Sequence, residues 1–257
     1  MQFMTKVICL ILFTLMFAVV PFAQKSEPWR HWNRDDANRI LNDSPWGHTQ
    51  TETDTSEMFF SPTRPGTASI GQSPVTRGRA SEQQSINNNR ADRGATNEPV
   101  SVHFRIRLLS AKPVRQAFVR LVELREPVPD EDLLAQLIGF ANRDLRAYII
   151  VAVDVESQDR RFSGPALQAL AAATAFTLKN TTYLERKDGK RLFLMDYRAP
   201  IADGLGAKFV FPRFVQEKPF LDLKSGDVRF YSDISKDIKL NVKYRISEML
   251  YDGKLEY

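Results

Sequence analysis

Between Ile238 and Ile246 apolar and polar side chains alternate without a miss. Ile238, Leu240, Val242, Tyr244 and Ile246 stand against Lys239, Asn241, Lys243 and Arg245. Successive strand side chains point to opposite faces, so this segment predicts a strand with one buried and one wet face. Ala147 to Val155 is an almost unbroken apolar run rich in β-branched residues. That pattern predicts a central strand covered on both sides. Val100 to Leu109, Lys208 to Phe211 and Asp227 to Ile234 read as further strands. Thr182 to Lys187 and Lys190 to Tyr197 flank Asp188-Gly189, a strong two-residue hairpin signal. Asp252-Gly253 turns the chain again, and Lys254 to Tyr257 reads as a short edge strand.

Helical spacing falls mostly in the middle of the chain. After Lys112-Pro113, Val114, Ala117, Phe118, Leu121 and Val122 share one face. After Pro129-Asp130, Leu133, Leu134, Leu137, Ile138 and Ala141 do the same. Gly164-Pro165 opens an alanine-rich stretch that predicts a third helix from Pro165 to about Leu178, whose small side chains imply close packing on a sheet. The expected fold class is therefore α+β. Three helices pack on a mixed or antiparallel sheet, with a β-rich C-terminal half and a short Trp-rich helix at the N-terminal side.

That short helix carries its own signals. Asn33 reads as an N-cap, with Asp35 and Asp36 in the first turn, where the helix dipole favours acids. Trp32 and Ala37 occupy the two positions of a hydrophobic staple. Ala37, Ile40 and Leu41 make a short apolar stripe, and Pro45 stops the helix. About ten residues are too few for a helix to persist alone in water. All three tryptophans of the chain, Trp29, Trp32 and Trp46, lie in this block. Tryptophan has the most surface to bury, so the three read as docking anchors. The expected surface is the protein's own domain, with a partner protein as the alternative. Gln50 to Phe60 then reads as a weak extended segment.

Residues 1 to 23 carry one basic residue, Lys6, then an apolar run from Val7 to Val20 and a small residue, Ala23. This is the pattern of a signal peptide cut after Ala23. The run is too short for the roughly 20 residues a span needs, so membrane contact is expected only through an uncleaved leader. Residues 24 to 60 form the tryptophan block and its extended continuation. In 61 to 99 only Ile70, Val75 and Ile86 are large and apolar. Such a stretch buries too little to offset its ordering entropy and reads as a disordered linker. Residues 100 to 257 are long enough for one sizeable α+β core.

Composition narrows the chemistry. The single cysteine, Cys9, sits in the leader, so disulfides, thiolate catalysis and cysteine metal sites are not expected. The leader takes one of 36 Lys and Arg, leaving 35 against 31 carboxylates, a net +4. That excess suits an acidic envelope polymer, and equally ordinary solubility. Export makes nucleic acid an unexpected partner. His31, His48 and His103 have no metal-ligand spacing, so no metal is expected. No cofactor motif occurs: Gly204-Leu205-Gly206 lacks a third glycine and reads as a loop before a strand.

The best catalytic candidates are Asp154 and Glu156, which period two places together at the end of the central strand. The ordinary reading is the polar end of a buried strand. Lys239, Lys243 and Arg245 form a basic stripe that is either a weak anionic-ligand face or a solvated face that discourages edge aggregation.

Three segments, Pro28 to Trp46, Asp203 to Arg213 and Ile238 to Tyr257, resemble an uncharacterised family of exported bacterial proteins often grouped with proteins carrying a GWxTD motif. The motif itself is absent here. The resemblance implies an exported bacterial protein, periplasmic or extracellular, and supplies no catalytic residue. The expected function is a non-enzymatic cell-envelope protein that binds an envelope protein or polymer, or is structural. The alternatives are a carboxylate-dependent hydrolase or lyase using Asp154 and Glu156, and a small-ligand carrier with its pocket between the alanine-rich helix and the late strands.

Overall fold

The computed structural model describes residues 28–54, 100–127, 129–157 and 160–257. The leader, the 61–99 linker and the Met58-Phe59-Phe60 end of the extended segment lie outside the described residues. The chain is α+β, and every strand pairing in the two main sheets is antiparallel.

After a 3-10 turn at Trp29–His31, α1 runs Arg34–Asn42 and β1 runs Gly47–Asp54. β2 is Val100–Leu108, α2 Lys112–Glu123, α3 Glu131–Asn142 and β3 Tyr148–Ser157. α4 is Arg160–Ala172 and α5 Ala175–Leu178. Then come β4 Thr182–Arg186, β5 Arg191–Phe193, β6 Asp196–Arg198 and β7 Ala207–Pro212. β8 Phe214–Val215 and β9 Lys218–Pro219 form a hairpin. β10 Asp227–Ser235 and β11 Ile238–Arg245 form a long one, and β12 Leu250–Tyr251 pairs with β13 Lys254–Leu255.

One sheet has the order β1-β2-β3-β7-β6 and the other β11-β10-β4-β5. The apolar run of 147–155 falls in β3, Tyr148–Ser157, which is indeed the middle strand of the first sheet, in keeping with its two-sided hydrophobicity. The sheets meet through aromatic side chains. Phe209 lies 5.4 Å from Phe230, Phe211 lies 6.3 Å from it, and the Tyr244 hydroxyl donates to the Ile106 carbonyl at 3.4 Å. The strict alternation in β11 is matched by strictly alternating burial.

The tryptophan block is part of this core. β1 pairs with β2 along its whole length, from Gly47 opposite Arg107 to Asp54 opposite Val100. α1 lies on the sheet so closely that a Cβ at Gly47 would come within 2.2 Å of the Leu41 carbonyl oxygen. The Asn33 side chain accepts from the Asp36 N–H at 2.8 Å, and the Asp36 carboxylate accepts from the Asn33 N–H, a reciprocal capping box. Arg34 and Arg120 tie α1 to α2 by donating to the Leu124 and Trp32 carbonyls, both at 2.7 Å.

Three expectations change. The third helix starts before Pro165 and ends at Ala172 rather than continuing to Leu178. Thr174 interrupts it by capping a separate short helix through a reciprocal bond with Thr177, a competition that hydroxyl side chains commonly win over helix continuation. The Lys190–Tyr197 strand is two strands in two sheets. The chain leaves β5 at Phe193 and joins the other sheet by Asp196. Lys254–Leu255 pairs only with Leu250–Tyr251, in a small separate hairpin.

Candidate functional site

The anchors predicted from composition are turned inward. Trp32 and Trp46 are each 7% exposed and belong to the common core, and Trp29 packs against it half-buried. The Trp46 indole donates to the Glu256 carbonyl at 2.7 Å and meets the Tyr251 ring edge-on at 6.3 Å. Burying an aromatic of this size removes roughly 150–250 Å² from water. That burial holds a nine-residue helix that would be marginal alone.

Asp154 and Glu156 do share a face of β3, with Arg105 opposite Asp154 and His103 opposite Glu156. Their situations differ. Glu156 is exposed and clamped by Arg105, whose Nη2 donates at 2.8 Å and Nε at 3.1 Å. Arg105 is itself held by the Thr49 hydroxyl at 2.8 Å. Asp154 is half-buried and accepts from its neighbour Val155 N–H at 3.0 Å. Burial pushes its carboxyl above the ordinary range, only partly opposed by the charge of Arg107. Arg107 is committed to α1, donating to the Leu41 carbonyl at 3.1 Å and the Asn42 side chain at 2.9 Å. Beside them Lys208 is tied to Asp203 at 2.7 Å, and Gly206 lets the preceding loop pass against β3, where a Cβ would meet the Val153 carbonyl oxygen at 2.1 Å. The cluster is a braced polar face with one half-buried acid in it.

The basic stripe on β11 faces outward, and each of its cations has an acid partner. Lys239 pairs with Asp233 at 3.5 Å, Lys243 with Asp227 at 2.6 Å and Arg245 with Glu248 at 3.0 Å. The Lys243 bond holds the Asp227 carboxyl below the usual carboxylate range. The stripe therefore presents balanced pairs.

A groove of about 780 Å³ lies elsewhere, between the tip of the β4–β5 hairpin and the β8–β9 hairpin. Arg186, Lys190, Arg191 and Lys218 line it, with Asp222 as the one lining carboxylate. Arg186 crosses its floor, donating from Nη1 to the Phe220 carbonyl at 2.9 Å and pairing with Asp188 at 3.1 Å, while its buried Nε has no partner. Arg191 pairs with Glu185 at 2.7 Å and stands 4.4 Å from the Tyr183 ring centre, a cation–π distance. The Arg191 bond, seconded by Arg229, holds the Glu185 carboxyl low. Lys218 has no acid within bridging distance among the described residues.

Two further features mark this region. β5 is an edge strand, and the groove-lining Val215 is 44% exposed, with Phe193 of β5 and Phe214 of β8 each 48% exposed. The β8–β9 turn places Gln216 and Glu217 at φ 50° and 64°. Both central residues of this two-residue loop sit in the left-handed region, where Asn and Gly are the favoured residues. Non-glycine residues held there cost on the order of 1 kcal/mol each, and such strain concentrates at binding and switch segments. Sequence reasoning missed the groove because its cations, Arg186, Lys190-Arg191 and Lys218, come from two hairpins, and none of them forms a motif. The one available signal was the basic pair Lys190-Arg191 directly after the Asp188-Gly189 turn.

No family model and no curated protein matches the sequence. A solved structure of a protein of unknown function from Burkholderia pseudomallei K96243 is similar over 66% of this chain and 89% of its own, at 14% identity and a TM-score of 0.37. A likeness that loose bears on neither fold nor function.

Proposed function

We propose that this is an exported cell-envelope protein that works by binding rather than by catalysis. Its contact surface is the groove between the β4–β5 and β8–β9 hairpins. The observation that carries this reading is a cation-rich groove lined by Arg191 of the edge strand β5 and Val215 of β8, with the exposed Phe193 and Phe214 on the same two strands. An edge strand offers unpaired backbone donors and acceptors to an extended segment, apolar neighbours supply contact area, and the cations select acidic side chains. The ligand is therefore an extended acidic segment of an envelope protein. Support for export comes from the leader, with Lys6 before the Val7 to Val20 run and Ala23 at its end.

The test is fluorescence anisotropy with a labelled short peptide of alternating Glu and Val. Binding should fall about tenfold or more in a Lys190→Ala, Arg191→Ala, Lys218→Ala triple variant. Undiminished binding in that variant removes the groove from the account.

A second reading rests on Asp154. A half-buried carboxyl raised by desolvation, with no bridging cation among the described residues, is a candidate acid for a hydrolase or lyase. Glu156, held by Arg105, would serve in it as a fixed charge. Hydrolysis of a substrate panel that is lost in Asp154→Asn, with the fold retained, would favour it.

A further inference from the structure

A second, smaller cavity of about 180 Å³ lies where the start of α2 meets the end of α3. Five cations line it: Lys112, Arg115, Arg143, Arg146 and Arg213. Against them stand two carboxylates, Asp144 and Glu256.

Both carboxylates are engaged. Arg146 chelates Asp144, with Nη2 donating at 2.6 Å and Nε at 3.0 Å. Glu256 accepts from the Lys112 backbone N–H at 3.4 Å. Arg213 is fixed by its bond to the Tyr257 carbonyl at 2.8 Å and by stacking 3.7 Å above that ring. The Lys112 ammonium and the Arg143 guanidinium have no acid partner among the described residues.

Arg115 is the unusual member. It is 4% exposed, yet an arginine cannot shed its charge by deprotonation. Its Nη atoms donate to the Leu109, Ser110 and Arg143 carbonyls, and its Nε has no hydrogen-bond partner. All its bonds go to carbonyl dipoles, and its burial outweighs the nearby charges of Glu256 and Asp144, so a further anion beside it would be stabilising. The N-terminus of α2 adds its dipole: Ala111 gives it no side-chain cap, and Glu256 meets it only through the long 3.4 Å bond to Lys112 N–H. The Ser110 hydroxyl, which accepts from the Ile150 N–H at 3.0 Å, keeps its own proton to donate.

We infer that this cavity binds a single tetrahedral oxyanion, a phosphate or sulfate group, between Lys112, Arg143 and the start of α2. The volume fits one such group and excludes a polymer. The site shares no cation with the peptide groove, so it stands or falls apart from that proposal. An apolar hollow of about 550 Å³, lined by Leu221, Leu223 and Leu255, adjoins it across Arg213. The group could therefore arrive free or at the head of an amphiphile.

The experiment is isothermal titration of the full chain with inorganic phosphate and with dodecyl phosphate, below the micelle concentration and against chloride at matched ionic strength. Saturable binding is expected in the wild type. It should weaken about tenfold or more in the Lys112→Gln, Arg143→Gln double variant, at one half-buried and one exposed position, with an unchanged urea midpoint as the check that the fold is kept. Lys218→Ala in the other groove should bind phosphate as the wild type does. Tighter binding of dodecyl phosphate, reduced by Leu223→Ser, assigns the group to an amphiphile, and equal binding assigns it to free phosphate. No saturable heat with either probe, or an unchanged affinity in the double variant, overturns the proposal.

Discussion

In the tryptophan block the large side chains are spent inward, whereas along the β8–β9 groove they are left facing out. Trp32 and Trp46 are 7% exposed, while Val215 in the groove and its neighbour Phe214 are 44% and 48% exposed. The charges differ in the same way. At the block, Arg34 donates to the Leu124 carbonyl, and Arg107 and Arg120 donate to the block's Leu41 and Trp32 carbonyls. At the groove, Lys218 has no acid partner among the described residues, and Arg186 keeps a buried Nε without an acceptor. The backbones differ too. α1 has a complete capping box, and the β8–β9 turn holds two non-glycine residues at positive φ. Tryptophan enrichment alone is thus a poor pointer to a partner surface. What distinguishes a surface with capacity left over is unspent exposure, charge and strain.

The largest effect should come from the inward side. Trp46→Ala should cost about 3–5 kcal/mol, as large-to-small changes at buried aromatics do, seen as a lowered urea midpoint. Trp29→Ala, at a half-buried site, should cost less than half as much. Near-equal costs would erase the distinction between core and periphery in this block.

Relief of the strained turn should act in the opposite direction. Glu217→Gly should stabilise by about 1 kcal/mol, because glycine adopts positive φ without steric cost. If the strain holds the hairpin in place for a ligand, the same variant should bind the Glu–Val peptide more weakly. Greater stability with unchanged binding would detach the strain from function.

Acid should bear on the core more than on the groove. Burial pushes the His48 imidazole below its ordinary value, and its buried Nε2 has no partner beside the Tyr244 ring at 4.9 Å. The unfolded chain therefore takes up this proton first. Stability should be whole above about pH 6.5 and fall as pH drops through that value toward the lower folded one. His48→Gln should flatten that slope in urea titrations from pH 7 to 5. Asp154 has the opposite sign. Its carboxyl is raised in the fold, so its unfavourable contribution appears as pH rises through the folded value. Asp154→Asn should stabilise at neutral pH, with the gain fading toward the ordinary aspartate range. A loss of stability at neutral pH would show that the carboxylate is needed where it stands.

The smallest effect is expected at the groove. The Lys190→Ala, Arg191→Ala, Lys218→Ala triple variant should leave stability within about 0.5 kcal/mol. A larger loss would mean that these cations are structural.

The elements with strong period were legible in the sequence, and those with competing local signals were not. β11 alternates because one face meets Phe230 and its neighbours while the other meets water. α1 carries its cap, staple and stop within its own residues. The split after Ala172 was hidden because alanine favours helix on both sides of Thr174, and only the Thr174–Thr177 bond decides against continuity. The passage from β5 to β6 was hidden because both pieces alternate, and local pattern does not say which sheet a strand joins. The juxtaposition of Asp154 and Glu156 followed from period two, but the Arg105 clamp needed the register of β2 on β3. The groove and the oxyanion cavity were out of reach, since each gathers side chains from segments far apart in the chain.

The central claim is that binding capacity resides at the groove and not in the tryptophans. The direct measurement is anisotropy of the labelled Glu–Val peptide against three proteins side by side: wild type, Trp29→Ala and the groove triple variant. The account predicts equal binding by wild type and Trp29→Ala, and about tenfold or greater weakening in the triple variant. Binding that survives in the triple variant and is lost in Trp29→Ala would contradict it.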